Sequence, residues 1–193
     1  MPVRLFVAIN PPGAVRERIG AGTAELRRLD GVRWVDPGAL HITLNFIGAS
    51  EEGRADQVSA SLRRVAADHA PFDVELSGVG AFPSLRRPRV VWVGIGPSPE
   101  LTRLHGEIEA ALEELGIERE ERGFSAHITL GRARRGSAVD AQRLESVAKR
   151  AAIRGSWRVG SVDLMESRLR PTGAVYEVRE SASLAGCRAA AGG

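Results

Sequence analysis

His41-Ile42-Thr43-Leu44 returns in the second half of the chain as His127-Ile128-Thr129-Leu130. From ordinary residue frequencies, two given histidines share their next three residues with a chance of roughly one in ten thousand. The repeat therefore reads as a duplicated unit. Both copies lie in segments of strand character, where successive side chains point to opposite faces, so His and Thr share one face while Ile and Leu share the other. Each strand is expected to bury its aliphatics and display an imidazole beside a hydroxyl. Two related strands of this kind can face each other across one cleft.

Working outward from the repeats, Leu5, Val7 and Ile9 alternate in a first strand, and Pro11-Pro12 opens a helical stripe of Val15, Ile19, Ala24 and Leu26 that ends near Asp30-Gly31. Asp36-Pro37-Gly38 has turn chemistry, and 40–47 is a strand ended by Gly48. Ser50-Glu51-Glu52 is read as the cap of a helix running to about His69, followed by strands over 72–79 and 89–95. Leu101, Leu104, Ile108, Ala111, Leu112 and Leu115 recur at helical spacing up to Gly116. Further segments are a strand over 126–131, a helix over 140–152, and strands over 157–165 and 174–178 joined by the turn Pro171-Thr172-Gly173. The elements interleave without regular βαβα alternation, which predicts a mixed α+β fold. Residues 1–181 are read as one domain, and the small, polar stretch 182–193 as a disordered tail.

At 193 residues, 43% hydrophobic and 26% charged, the chain has the composition of a folded domain. Its apolar runs, such as Val90-Val91-Trp92-Val93, fall far short of the roughly 20 residues of a membrane span. The first strand meets Asn10-Pro11-Pro12 too early for a secretory signal, so a cytoplasmic location is expected. One cysteine, Cys187, builds neither a disulfide framework nor a cysteine-based zinc site within one chain, and it reads as an inert thiol. The net charge is +3, and Lys149 is the sole lysine among 27 basic residues. An arginine-rich surface suits a phosphate-bearing partner, because guanidinium forks bind phosphate oxygens bidentately.

Two imidazoles and two hydroxyls suit concerted acid–base chemistry at phosphorus. Histidine titrates near neutrality, so one ring can accept a proton from water while the other donates to a leaving group. The threonine hydroxyls can donate to the nonbridging oxygens of a phosphate between the strands. A metal site is the rival use of paired histidines, but His-Glu-x-x-His and Cys-x-x-Cys patterns are missing, and a third ligand would have to come from Asp36 or Asp163. A serine nucleophile lacks its Gly-x-Ser-x-Gly elbow, and Ser125 has no orienting acid. Arg132 is the arginine assigned to substrate phosphate, while Arg86, Arg87 and Arg89 read as a solvated loop. Trp34, Phe46 and Phe124 flank the motifs and can stack on a base, although burial is the commoner place for such aromatics. His69 and His105, placed in helices, are expected at the surface or partly packed and receive no function.

These residues resemble the 2H phosphoesterases, and within them the bacterial and archaeal RNA 2′,3′-cyclic phosphodiesterases, also called 2′-5′ RNA ligases. The resemblance runs from Arg4-Leu5-Phe6-Val7-Ala8-Ile9 through Trp34-Val35-Asp36-Pro37, His41 to Gly48 and Gly80-Ala81-Phe82-Pro83-Ser84. It continues with Pro88-Arg89-Val90-Val91-Trp92, Phe124, His127 to Arg132, Leu164-Met165-Glu166-Ser167, Pro171, Gly173 and Tyr176. One departure is Ala126, where the family often has proline before the second histidine.

The resemblance implies two pseudo-symmetric lobes, each an antiparallel sheet with outer helices, around a central groove. It implies metal-independent hydrolysis of a terminal 2′,3′-cyclic phosphate to a 2′-phosphate, without a cofactor. His41 would donate a proton to the leaving O3′, His127 would accept one from water, and Thr43 and Thr129 would bind the phosphate. Substrate-binding residues would include Arg132, Phe46 and Phe124. RNA ends or tRNA fragments are the implied partners of a monomer. Other readings keep the same groove: a noncatalytic RNA-binding module, or an enzyme acting on cyclic nucleotides, an ADP-ribose cyclic phosphate or 2′-5′ linkages, including reversible ligation.

Overall fold

The computed structural model describes residues 3–50, 52–121, 123–151, 153–170 and 173–186. In chain order the elements are β1 (Val3–Ile9), α1 (Gly13–Gly22), β2 (Val32–Trp34), β3 (Ile42–Ser50), α2 (Glu52–Ala67), β4 (Phe72–Phe82) and β5 (Val90–Ile95). They continue as α3 (Pro99–Glu113), β6 (His127–Ala133), α4 (Ala141–Arg150), β7 (Ser156–Val159), β8 (Ser161–Arg170) and β9 (Gly173–Ser183). The strands hydrogen-bond in the order β7-β4-β5-β6-β3-β1-β8-β9, with β2 added on β6, and every pair is antiparallel. An α+β fold with two lobes is thus present, one of strands β7, β4, β5, β6 and β2 and the other of β3, β1, β8 and β9. The lobes are not separate sheets, because β3 and β6 join them through the single pair Ile42↔Ile128.

One face of the sheet carries the main core. Leu5, Val7, Ile42, Ile128 and Leu164 pack there with Val58 and Leu62 of α2, Leu104 and Ile108 of α3 and Leu144 of α4. The helical stripe read around Leu101 is thereby explained: it is the buried side of α3, whose N-terminus is capped by the Ser98 hydroxyl accepting from the Leu101 N–H. The opposite face carries a small cluster of Phe6, Ala8 and Met165 with Tyr176 against it, and this face bears the groove.

Several boundaries differ from expectation, each for a local reason. The segment read as one strand over 157–165 is two: β7 pairs with β4 in one lobe and β8 with β1 in the other, and the chain changes lobe at Gly160. Because only Gly160 separates strands that stand far apart in the sheet order, the sheet curls until its ends approach. The first helix stops at Gly22, where the buried Thr23 hydroxyl donates to the Ile19 carbonyl at 2.7 Å, and Leu26–Arg28 forms a separate 3-10 turn. Ser50 belongs to β3, and the helix read to His69 ends at Ala67. His69 is buried rather than superficial, with its Nε2 2.9 Å from Glu107 Oε2 of α3.

The expected tail is ordered at its start. Ala182 and Leu184 are buried, and the N–H groups of Leu184, Ala185 and Gly186 donate to the carbonyls of Gly160, Ala66 and His69. Residues 187–193, including Cys187, lie outside the described residues, as do Pro171 and Thr172 of the expected turn. None of the described helices is long and apolar enough to cross a membrane.

Ile128 is fully buried where the two lobes join. Ile128→Ala is expected to lower unfolding stability by about 2–5 kcal/mol, the usual cost of such a core truncation. The shift in denaturant midpoint measures it.

Candidate active site

The junction of the lobes fixes the site. Ile42 and Ile128 lie opposite each other with both side chains in the core, so the residues flanking them point to the other face. Continuing that antiparallel register by one residue each way sets His41 across from Thr129 and Thr43 across from His127. Each imidazole therefore has its own hydroxyl along the strand and the other hydroxyl across from it.

The two strands share a second device. On β3, Thr43 pairs with Ala8 and Asn45 with Val7, leaving Leu44 as the extra residue of a bulge. On β6, Thr129 pairs with Trp92 and Gly131 with Val91, leaving Leu130 extra in the same place. Without the bulges, strict alternation would bring Asn45 and Gly131 to the groove face. With them, Phe46 and Arg132 take that place. Phe46 and Arg132 are thus equivalent positions of the two halves, one aromatic and one cationic.

Two cavities meet at this waist. One, of about 420 Å³, contains His41 with Phe6, Tyr176 and Arg4. The other, of about 350 Å³, contains His127 with Phe82, Phe124 and His105. Thr43, Phe46, Thr129 and Arg132 belong to both. A group held at the waist has one histidine on each side.

Each imidazole is oriented in the same way. His41 Nδ1 is 2.8 Å from the Ala39 carbonyl oxygen, and His127 Nδ1 is 2.7 Å from that of Ser125. A carbonyl only accepts, so Nδ1 carries the proton and Nε2 is left for chemistry. Aromatic walls from neighbouring strands hold both rings: Phe6 and Tyr176 lie 5.0 and 5.2 Å from His41 by ring centroids, and Phe82 and Trp92 lie 5.1 and 6.2 Å from His127. Burial pushes both imidazoles below the ordinary value near 6.5. The Nδ1–carbonyl bonds oppose this shift, while Arg132 adds to it at both rings and Arg16 and His127 add to it at His41.

The sequence candidates divide clearly. His41, Thr43, Phe46, Phe124, His127, Thr129 and Arg132 all come to the two cavities. Trp34 does not: it packs against the core and its Nε1 lies 3.4 Å from the Leu29 carbonyl oxygen. Arg86, Arg87 and Arg89 are exposed on the β4–β5 connection and line neither cavity. Asp163, weighed as a third metal ligand, is occupied by Asn10 Nδ2 at 2.7 Å and Ser181 Oγ at 2.5 Å. Phe6, Tyr176, Phe82 and Trp92 were not singled out as site residues. Phe6 was legible, since it falls out of phase with the inward Leu5, Val7 and Ile9. His105, given no role from sequence, stacks on Phe124 at 4.0 Å and 12° and lines the His127 cavity.

An α+β sheet presenting two symmetry-related His-x-Thr strands to one groove is the architecture of the 2H phosphoesterases. The chain belongs to the 2′-5′ RNA ligase superfamily, which it matches over residues 11–170. It is 35% identical over 175 residues to an RNA 2′,3′-cyclic phosphodiesterase of Archaeoglobus fulgidus, covering 91% of this chain and 97% of the relative. The crystal structure of TT0787 from Thermus thermophilus superposes with a TM-score of 0.79 at 31% identity, covering 95% of this chain and 98% of the other. The crystal structure of E. coli LigT complexed with 3′-AMP does so with a TM-score of 0.78 at 26% identity, covering 95% and 99%.

The carbonyl contacts make a direct spectroscopic prediction. At alkaline pH, two-bond 1H–15N correlations of both His41 and His127 are expected to show the Nδ1–H tautomer. At acid pH both rings should become doubly protonated, with midpoints below that of a free imidazole because burial disfavours the cation.

Proposed function

We propose that the protein hydrolyses the 2′,3′-cyclic phosphate at an RNA end to a 2′-phosphate, with His41 as acid and His127 as base. The observation that carries this reading is the waist itself, where two hydroxyls and a guanidinium converge between two imidazoles whose Nε2 atoms are both available. Phosphorus held by Thr43, Thr129 and Arg132 would have His127 on the water side and His41 on the side of O3′. His127 Nε2 takes a proton as the water oxygen attacks, the P–O3′ bond breaks, and His41 Nε2–H protonates O3′. Arg132 and the two hydroxyls oppose the charge gathering on the nonbridging oxygens. The terminal ribose carries O3′ and therefore lies in the larger cavity with His41, where exposed Phe46 is available to its base. Phe124 has one face covered by His105, so its other face alone can stack. No step calls for a metal or cofactor. The Archaeoglobus fulgidus relative, an RNA 2′,3′-cyclic phosphodiesterase, supports RNA as the substrate class, and we place the reaction in the cytoplasm with the protein acting as a monomer.

A second reading concerns the nucleophile. The cavity beside His127 is about 350 Å³, whereas roughly 10–15 Å³ of space measured in the same way holds one water. Space of this size with aromatic walls supports an alcohol in place of water. Attack by the 5′-hydroxyl of a second RNA would leave a 2′-5′ phosphodiester.

An oligonucleotide ending in a 2′,3′-cyclic phosphate should give a 2′-phosphate end with a chelator present, identified by end-group analysis. His41→Ala and His127→Ala should each lower the rate by at least about a hundredfold. Full activity in either variant overturns the pair. Salt-sensitive RNA binding without product, even on long incubation, would favour a noncatalytic module instead.

The rate should also report the state of both rings. Activity requires one neutral and one protonated imidazole, so kcat/KM should peak below pH 6.5. It should fall on the acid side as the base is protonated and on the alkaline side as the acid is lost. An anionic substrate between the rings stabilises their charged forms, which should move the kcat profile to higher pH than the kcat/KM profile.

A further inference from the structure

The groove does not end at His41. Ala39, His41 and Tyr176, which line the first cavity, also line a further one of about 500 Å³. Arg16 is the arginine of this adjoining cavity among the described residues. Its Nη1 donates to the Gly38 carbonyl at 2.7 Å, its Nη2 reaches Asn10 Oδ1 at 3.5 Å, and its buried Nε has no partner. The charge of Arg16 is thus met by neutral oxygens. The two carboxylates that also line the cavity take their hydrogen bonds from neutral donors, Asp163 from Asn10 and Ser181 and Asp36 from the Gly38 N–H at 2.7 Å, and neither is paired with Arg16. Beside them lies apolar surface that includes Val178, 53% exposed. Val178 and Phe46 are the large apolar side chains left exposed among the described residues, and both face cavities of the groove.

This arrangement matches what RNA presents one step from its end. A terminal nucleoside 2′,3′-cyclic phosphate continues only through its 5′ oxygen, so the next charged group is a single phosphodiester, followed by the ribose and base of the preceding nucleotide. With the terminal ribose on the His41 side, a continuation past His41 and Tyr176 leads into this adjoining cavity, whereas one past Arg4 leads to the other end of the groove. We propose that the cavity containing Arg16 is the subsite for the nucleotide preceding the cyclic phosphate, with Arg16 holding the internucleotide phosphate and Val178 lying against the nucleoside. The proposal rests on the function given above and defines its substrate class as chains of two or more nucleotides. Arg16 also braces Gly38, next to the Ala39 carbonyl that orients His41. A test must separate these two roles.

The measurement is kcat/KM for a dinucleotide 2′,3′-cyclic phosphate divided by that for the mononucleoside 2′,3′-cyclic phosphate. Arg16→Met should lower this ratio about tenfold, as expected for the loss of one charge-assisted contact. Arg16→Lys, which keeps the charge and loses the fork, should lower it less. The wild-type protein should likewise prefer the phosphodiester dinucleotide about tenfold over its uncharged methylphosphonate analogue, a comparison that needs no variant. An equal fall on both substrates in Arg16→Met would make Arg16 a brace alone and overturn the subsite. The selective loss appearing in Arg4→Met instead would overturn it too, placing the chain at the other end of the groove. Wild-type turnover with a ratio that Arg16→Met leaves unchanged refutes the subsite only, whereas wild-type inactivity on both substrates refutes the underlying function and the subsite with it.

Discussion

The pairing of Ile42 with Ile128 is the constraint on which the rest of the molecule depends. Each lobe has its own strands, five on the β6 side and four on the β3 side, and this contact between β3 and β6 is where they become one sheet. Because both isoleucines face the core, the His-Thr pairs beside them have no choice but the opposite face. A register slip of one residue would turn the imidazoles into the core and the aliphatics into the groove. The hydrophobic effect on one face therefore sets the chemistry on the other.

Around that junction, symmetry is kept where the reaction needs two equal partners and broken where the substrate has two unequal ends. Both histidines use Nδ1 on a carbonyl two residues earlier, and both lie against aromatic rings. Equivalent bulges then deliver Phe46 from one half and Arg132 from the other. An aromatic and a guanidinium at matching positions give the groove a polarity that the tetrapeptides alone lack. The surroundings differ as well: Trp92 fills space over Gly80 in one lobe, while the other opens into the cavity that contains Arg16.

The His-x-Thr repeats, the buried stripe of α3 and the alternation of β1 were legible because each is a local periodicity with a direct physical meaning. Phe46, Phe124 and Arg132 were legible as neighbours of the motifs. His105 was not, since a histidine on a helix carries no mark of the loop residue, Phe124, that it will stack on. Trp34 followed the burial that is commoner for such aromatics, since closeness in sequence to a motif does not choose a face. The ordered segment from Ala182 to Gly186 looked like a tail because its composition is small and polar, yet its N–H groups complete backbone bonds that distant carbonyls supply.

By itself the amino-acid sequence determined the α+β class, the duplicated strand with its imidazole and hydroxyl on one face, and the chemistry those groups can perform. Tertiary structure alone decided that the two strands join edge to edge, that bulges present Phe46 and Arg132, and that Arg16, Tyr176 and His105 enter the groove. The reason is physical. Alternation and helical period act between residues a few positions apart, whereas register, sheet curl and cavity walls come from contacts between segments whose separation along the chain has no bearing on how closely they pack.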